Sequence, residues 1–156
     1  MIHFVDGESE LFLDEALSPI LVLIWIGPAT LELTAKFQRW SDEQSERAKR
    51  LARPVIMVHD GSAADRPPSN VRRAFAEHKG DPEVVHRSFV VVTNPLVRGA
   101  MTAIGWLIGD TFDVVSCKTM AEALTQAAAY ARAQGLVPPS DGELLRYAAR
   151  SDAQSA

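Results

Sequence analysis

Residues 20–26 read Ile20-Leu21-Val22-Leu23-Ile24-Trp25-Ile26. Every position is apolar, with Pro19 before the run and Gly27-Pro28 after it. The run is far short of the ~20 residues that cross a bilayer. A short apolar run bounded by turn residues predicts a strand covered on both faces. Helices on either side of a sheet supply such a cover.

The rest of the chain fits that frame. Leu33, Phe37, Trp40, Ala48 and Leu51 form one stripe of a helix over 30–52, and Glu32/Lys36, Glu43/Arg47 and Glu46/Arg50 are acid-before-base pairs on its wet side. Each pair contributes about 0.2–0.5 kcal/mol. Val55-Ile56-Met57-Val58 predicts a second buried strand, closed by His59-Asp60-Gly61-Ser62, which opens a polar loop. Pro67-Pro68 lead to Ser69 as N-cap of a helix over 70–79, with Val71, Ala74 and Phe75 inside and Gly80 as its stop. A third strand is expected at 88–92, and Asn94 with Pro95 starts a helix over 95–108. A fourth strand falls at 112–116, and Thr119 with Glu122 forms a capping box for a helix over 120–134. Upstream, 2–5 and 11–13 read as an edge strand or hairpin before the apolar run. Pro138-Pro139 separates a domain over 1–138 from a C-terminal tail over 139–156, which carries a short helix around Leu144, Leu145 and Ala148. The expected order is β-β-α-β-α-β-α-β-α: an α/β fold with a mostly parallel sheet of four to five strands and helices packed on it.

Composition narrows the function. With 156 residues, 47% hydrophobic and 23% charged, the chain suits one globular domain. A net charge of -4 without polybasic clusters argues against nucleic acid as a partner and against membrane insertion. The single cysteine, Cys117, excludes an internal disulfide and a thiolate metal cluster. Residues 1–14 carry no basic stretch followed by an apolar run, so the cytoplasm is the expected location.

The element pattern resembles the STAS fold of anti-sigma-factor antagonists and of the cytoplasmic parts of sulphate transporters, and in particular divergent bacterial STAS-like (SEC14-like) domains. The resemblance rests on Ile20–Gly27 with the helix after Thr30, and on Val55-Ile56-Met57-Val58-His59-Asp60 with the helix at Ser69. It continues in Phe89-Val90-Val91-Val92-Thr93-Asn94-Pro95-Leu96-Val97-Arg98-Gly99-Ala100 with Trp106-Leu107, and in Phe112-Asp113-Val114-Val115 before Met120-Ala121-Glu122-Ala123-Leu124. It implies a regulatory domain with a protein partner. In that family a serine at the start of the middle helix, in an Asp-Ser-Ser-Gly motif, is phosphorylated by a partner kinase. Here the segment reads Asp60-Gly61-Ser62-Ala63-Ala64-Asp65-Arg66-Pro67-Pro68-Ser69-Asn70, so Ser69 holds the position but its neighbours differ.

Asp60, Ser62, Arg66, Ser69, Asn70, Arg72 and Arg73 form the candidate regulatory segment. A helix start offers unpaired N–H groups and partial positive charge, and arginines add donors for a phosphate or carboxylate. The plain alternative is an ordinary helix cap with solvated arginines. Met101 and Trp106 stand off the core stripe of the helix over 95–108, so either a neighbouring element of the chain covers them or they form an interface, with another protein or with a second copy as a homodimer. Trp25, Phe37, Trp40 and Phe75 could line a pocket for an acyl chain, or pack as core. His59-Asp60 lacks the ligand spacing of a metal site, and Cys117, whose position can lower a thiol pKa, lacks a base. No catalytic set, metal or cofactor is therefore expected. The primary expectation is a non-enzymatic regulatory or interaction domain, switched by phosphorylation or anion binding. The alternative is a binder of an acyl chain or a small anionic ligand such as a nucleotide.

Overall fold

The computed structural model of the chain describes residues 1–96, 98–99 and 112–155. Six strands form one sheet in chain order: β1 (Ile2–Asp6), β2 (Ser9–Asp14), β3 (Ile20–Gly27), β4 (Val55–Ala64), β5 (His86–Val91) and β6 (Phe112–Cys117). The expected four to five strands become six because the front hairpin joins the sheet through β2, which pairs antiparallel with β3. From β3 to β6 all pairings are parallel. The described helices are α1 (Leu31–Arg50), α2 (Ser69–Glu77), α3 (Met120–Ala133) and α4 (Asp141–Ser155).

The apolar run behaves as its composition requires. Ile20, Val22 and Ile24 enter one core cluster with Leu124, Ala127 and Ala131 of α3. Leu21, Leu23 and Trp25 enter a second with Leu33, Phe37 and Trp40 of α1. Both faces of β3 are thus buried, because successive side chains point to opposite sides. Gly27 ends the strand at φ 72, where an added Cβ would lie 2.7 Å from the Glu8 carbonyl oxygen, so the bend into α1 requires glycine.

The two long helices begin where their caps stand. Thr30 Oγ1 accepts from the Leu33 N–H at 3.2 Å, and Thr119 Oγ1 accepts from the Glu122 N–H at 3.1 Å. Glu122 reaches back to the Lys118 N–H at 2.8 Å. Of the anticipated surface pairs, Glu32–Lys36 forms at 3.5 Å, whereas Arg47 turns to Glu15 of the β2–β3 connection at 2.9 Å.

The segment expected as a tail with a short helix is the 15-residue α4. Leu144, Tyr147 and Ala148 belong to the same core cluster as α3 and β3. Ser151 continues this stripe and is also buried. Two buried carboxylates receive it: Tyr147 Oη donates to Asp14 Oδ2 at 2.9 Å, and Ser151 Oγ donates to Asp60 Oδ2 at 3.2 Å.

Candidate functional site

The parallel strands β3, β4 and β6 run into the starts of α1, α2 and α3, so their carboxyl ends share one edge of the sheet, where α/β folds place ligands and partners. Loops are tied there by the Asp65 N–H donating to the Gly27 carbonyl at 3.0 Å and by Thr93 Oγ1 donating to the Ser62 carbonyl at 3.5 Å.

Two expectations for this edge need correction. The polar loop expected from residue 60 onward is strand as far as Ala64, since β4 keeps pairing with β3 through Ala63 and Ala64 after an irregularity between Ile24 and Ile26. Gly61 allows this, for an added Cβ would meet the Val91 carbonyl oxygen at 3.3 Å. Asp60 is accordingly buried, and its Oδ1 accepts from the Ser62 N–H at 3.0 Å and from Ser62 Oγ at 2.6 Å. Second, Ser69 is not the N-cap of α2 but its first helical residue. Pro68 holds the cap position in extended backbone and offers no side-chain acceptor. Its missing N–H is no loss ahead of a helix.

The seven candidate residues therefore fall into two groups. Asp60 and Ser62 belong to a polar contact that holds α4 on the sheet. Ser69 lies exposed at the start of α2 with exposed Arg66, Asn70 and Arg73 and half-buried Arg72. Asn70 Oδ1 accepts from the Val71 N–H at 2.9 Å. Among the described residues, Arg66, Arg72, Arg73 and the Ser69 hydroxyl have no hydrogen-bond or ion-pair partner. Ser151 and Tyr147, which complete the carboxylate contacts, were not legible as site residues, because their partners lie 91 and 133 positions away. Met101 and Trp106 lie outside the described residues, as does most of the helix expected over 95–108. What is described is a helical turn at 95–96 and 98–99, begun by Asn94 Oδ1 accepting from the Leu96 N–H at 2.9 Å.

The two enzymatic candidates, His59 and Cys117, are both buried. His59 is buried beside Phe37, with ring centroids 5.9 Å apart, and burial lowers its pKa to about 4, so it is neutral at pH 7. Its Nε2 lies 3.4 Å from Ser88 Oγ. Burial, with the Glu122 charge adding, pushes the Cys117 thiol up to about 11, the reverse of the lowering its position suggested. Its reaction with a thiol reagent near pH 8 is expected to be at least about a hundredfold slower in the native than in the urea-unfolded protein. Comparable rates would show that the strand end is open. Trp25, Phe37 and Phe75 pack on one another with centroids 5.9–6.2 Å apart, and Trp40 Nε1 donates to Glu15 Oε1 at 3.3 Å. Trp25, Phe37 and Trp40 belong to one core cluster, with Phe75 packed against it. Among the described residues no group of three or more His, Cys, Asp or Glu side chains is placed to hold a metal, and no helix is long and apolar enough to cross a membrane.

No protein-family model matches the chain, and no curated protein matches it in sequence. Solved structures do. An uncharacterised protein of Shewanella loihica with a SpoIIAA-like fold superposes with a TM-score of 0.52 at 13% identity, over 81% of this chain and 96% of its own. An anti-sigma factor antagonist from Mycobacterium paratuberculosis superposes with a TM-score of 0.51 at 16% identity, over 80% of this chain and 98% of its own. Identities this low carry architecture and not activity. The chain is an α/β domain of the STAS-like, SpoIIAA-like fold.

Proposed function

We propose that this is a non-enzymatic, cytoplasmic regulatory domain that binds a protein partner through the start of α2, and that phosphorylation of Ser69 or binding of an anion there switches the contact. The observation that carries this reading is an exposed serine at a helix N-terminus, beside three arginines without acidic partners among the described residues. The N–H groups of Ser69 and Asn70 face outward without a side-chain cap, and the helix end is partially positive. A phosphate held there gains backbone donors and guanidinium forks together. Asp60 and Ser62 contribute indirectly, by fixing the β4 end from which the segment departs. That an anti-sigma factor antagonist shares the fold supports a regulatory role.

Capture from native-host lysate, comparing wild type with Arg72→Glu/Arg73→Glu, tests the proposal. The expected result is a specific protein held by wild type and reduced at least about tenfold in the variant, equivalent to about 1.4 kcal/mol. The melting temperature should change little, because Arg73 is exposed and Arg72 only half-buried. Equal capture by both proteins would remove α2 from the interface, and no specific capture by wild type would count against a protein partner altogether.

A further inference from the structure

Strand β1 ends the sheet, and among the described residues nothing pairs with its outer edge. It is joined to β2 by a two-residue turn, with Gly7 at φ 62 and Asp6 opposite Ser9 as the closing pair. In such a hairpin the closing pair is hydrogen-bonded, and the pattern then alternates. Ile2, Phe4 and Asp6 therefore bond to β2, while the backbone N–H and C=O groups of His3 and Val5 point outward.

Natural sheets guard such edges with lysine, proline or a bulge. The stretch from Ile2 to Val5 has none, and its register with β2 is unbroken. Instead it displays apolar side chains on both faces: Ile2 is 46% exposed and Val5 58%. We propose that β1 is a self-association surface, at which two copies of this chain pair antiparallel about a two-fold axis at Phe4 and join their sheets.

The strand is complementary to itself in that register. His3 meets the other copy's Val5, and Val5 its His3, each pair exchanging two N–H···O bonds. Phe4 faces its own copy in the closer, non-hydrogen-bonded pair, the arrangement that favours aromatic contacts across strands. On the opposite face His3, stacked on Phe12 at 4.0 Å, supplies an aromatic edge for the incoming Val5. Asp6 of the second copy falls opposite Ile2. Ile2 lines a cleft of about 290 Å³ with Phe4, Lys36, Arg39 and Glu43; Lys36 is paired with Glu32, whereas Arg39 has no acidic partner among the described residues. The incoming carboxylate thus comes to the cleft that Arg39 lines, a guanidinium still without an acidic partner among the described residues. A one-residue slip would forfeit both the hydrogen bonds and this charge match.

Sedimentation equilibrium and register-specific cross-linking test this. Wild type should sediment at twice its 17.0 kDa mass, in a concentration-dependent way. Val5→Pro deletes an outward N–H that bonds nothing within the chain, so the fold should survive while dimerisation weakens at least about tenfold. Phe4→Cys should form a disulfide-linked dimer under mild oxidation, and Ile2→Cys should not, because position 2 lies opposite position 6. The native Cys117 is buried and does not compete. A 17.0 kDa species at concentrations up to about 1 mM overturns the proposal. So does a dimer unaffected by Val5→Pro, or equal cross-linking from both cysteines. If Phe4→Cys fails to fold, the sedimentation of wild type and Val5→Pro decides alone.

Discussion

Tyr147→Ala is expected to destabilise the protein by about 3–5 kcal/mol, a large part of the 5–15 kcal/mol typical of a domain. Two losses combine. The ring sits in the core cluster with Leu144, Ala148 and α3, and its removal leaves a cavity under α4. The hydroxyl donates to Asp14, a buried carboxylate whose other described hydrogen-bond donor is the backbone N–H of Ala16 at 3.0 Å. Tyr147→Phe separates the terms, since it keeps the ring and strips one donor from Asp14, at a cost of about 1–3 kcal/mol. Burial, reinforced by the bond to Asp14, pushes the phenol well above its ordinary pKa, so it remains a donor across the accessible pH range. Urea unfolding followed by far-UV circular dichroism measures both variants. A cost below about 1 kcal/mol for Tyr147→Ala would mean that α4 is not docked in solution, and that Asp14 and Asp60 find other partners.

The same helix shows where sequence reading stops. The apolar run at β3, the capping box at Thr119 and the hairpin were all legible, because local pattern and local geometry agree there; Thr30, read as the first residue of its helix, is its cap. Helix α4 was legible only as a short helix around Leu144, Leu145 and Ala148, and its full length and docking were not, since only Leu144, Tyr147 and Ala148 mark its apolar stripe. The fourth place is Ser151, whose burial depends on Asp60, 91 positions earlier. The extension of β4 was equally hidden. Gly61-Ser62-Ala63-Ala64 has turn-like composition, and it stays extended because β3 continues alongside and β5 leaves space for a residue without a side chain. Hence Asp60, placed in a loop by its neighbours in sequence, is an interior carboxylate. The exposed half of the candidate site was easier to read. A serine followed by two arginines at a helix start needs no tertiary contact to be recognised.

Acid should weaken the fold well above the carboxylate range, through His59. This ring takes a proton at about 6.5 in the unfolded chain but only near 4 when folded, because burial between β4 and α1 disfavours the charged form. Between those values the unfolded state binds more protons than the folded state, so stability falls as pH falls through the window from 6.5 to 4 and levels off below it. A shift of this size amounts to about 3 kcal/mol. His86, buried against Ser45 at 3.1 Å, is shifted down by burial too and steepens the same slope. Asp81, held low by the Glu83 N–H and Lys49, and Glu143, held low by the Ser140 hydroxyl, act at the bottom of the window and below it. His59→Gln keeps a polar end near Ser88 but cannot take a proton. It should cost some stability at pH 7 and flatten the profile, so that the two proteins converge as the pH approaches 4. Parallel profiles for wild type and variant, measured by urea unfolding at steps from pH 7 to pH 4, would show that His59 is solvated, and the strand-end imidazole would then be free for chemistry after all.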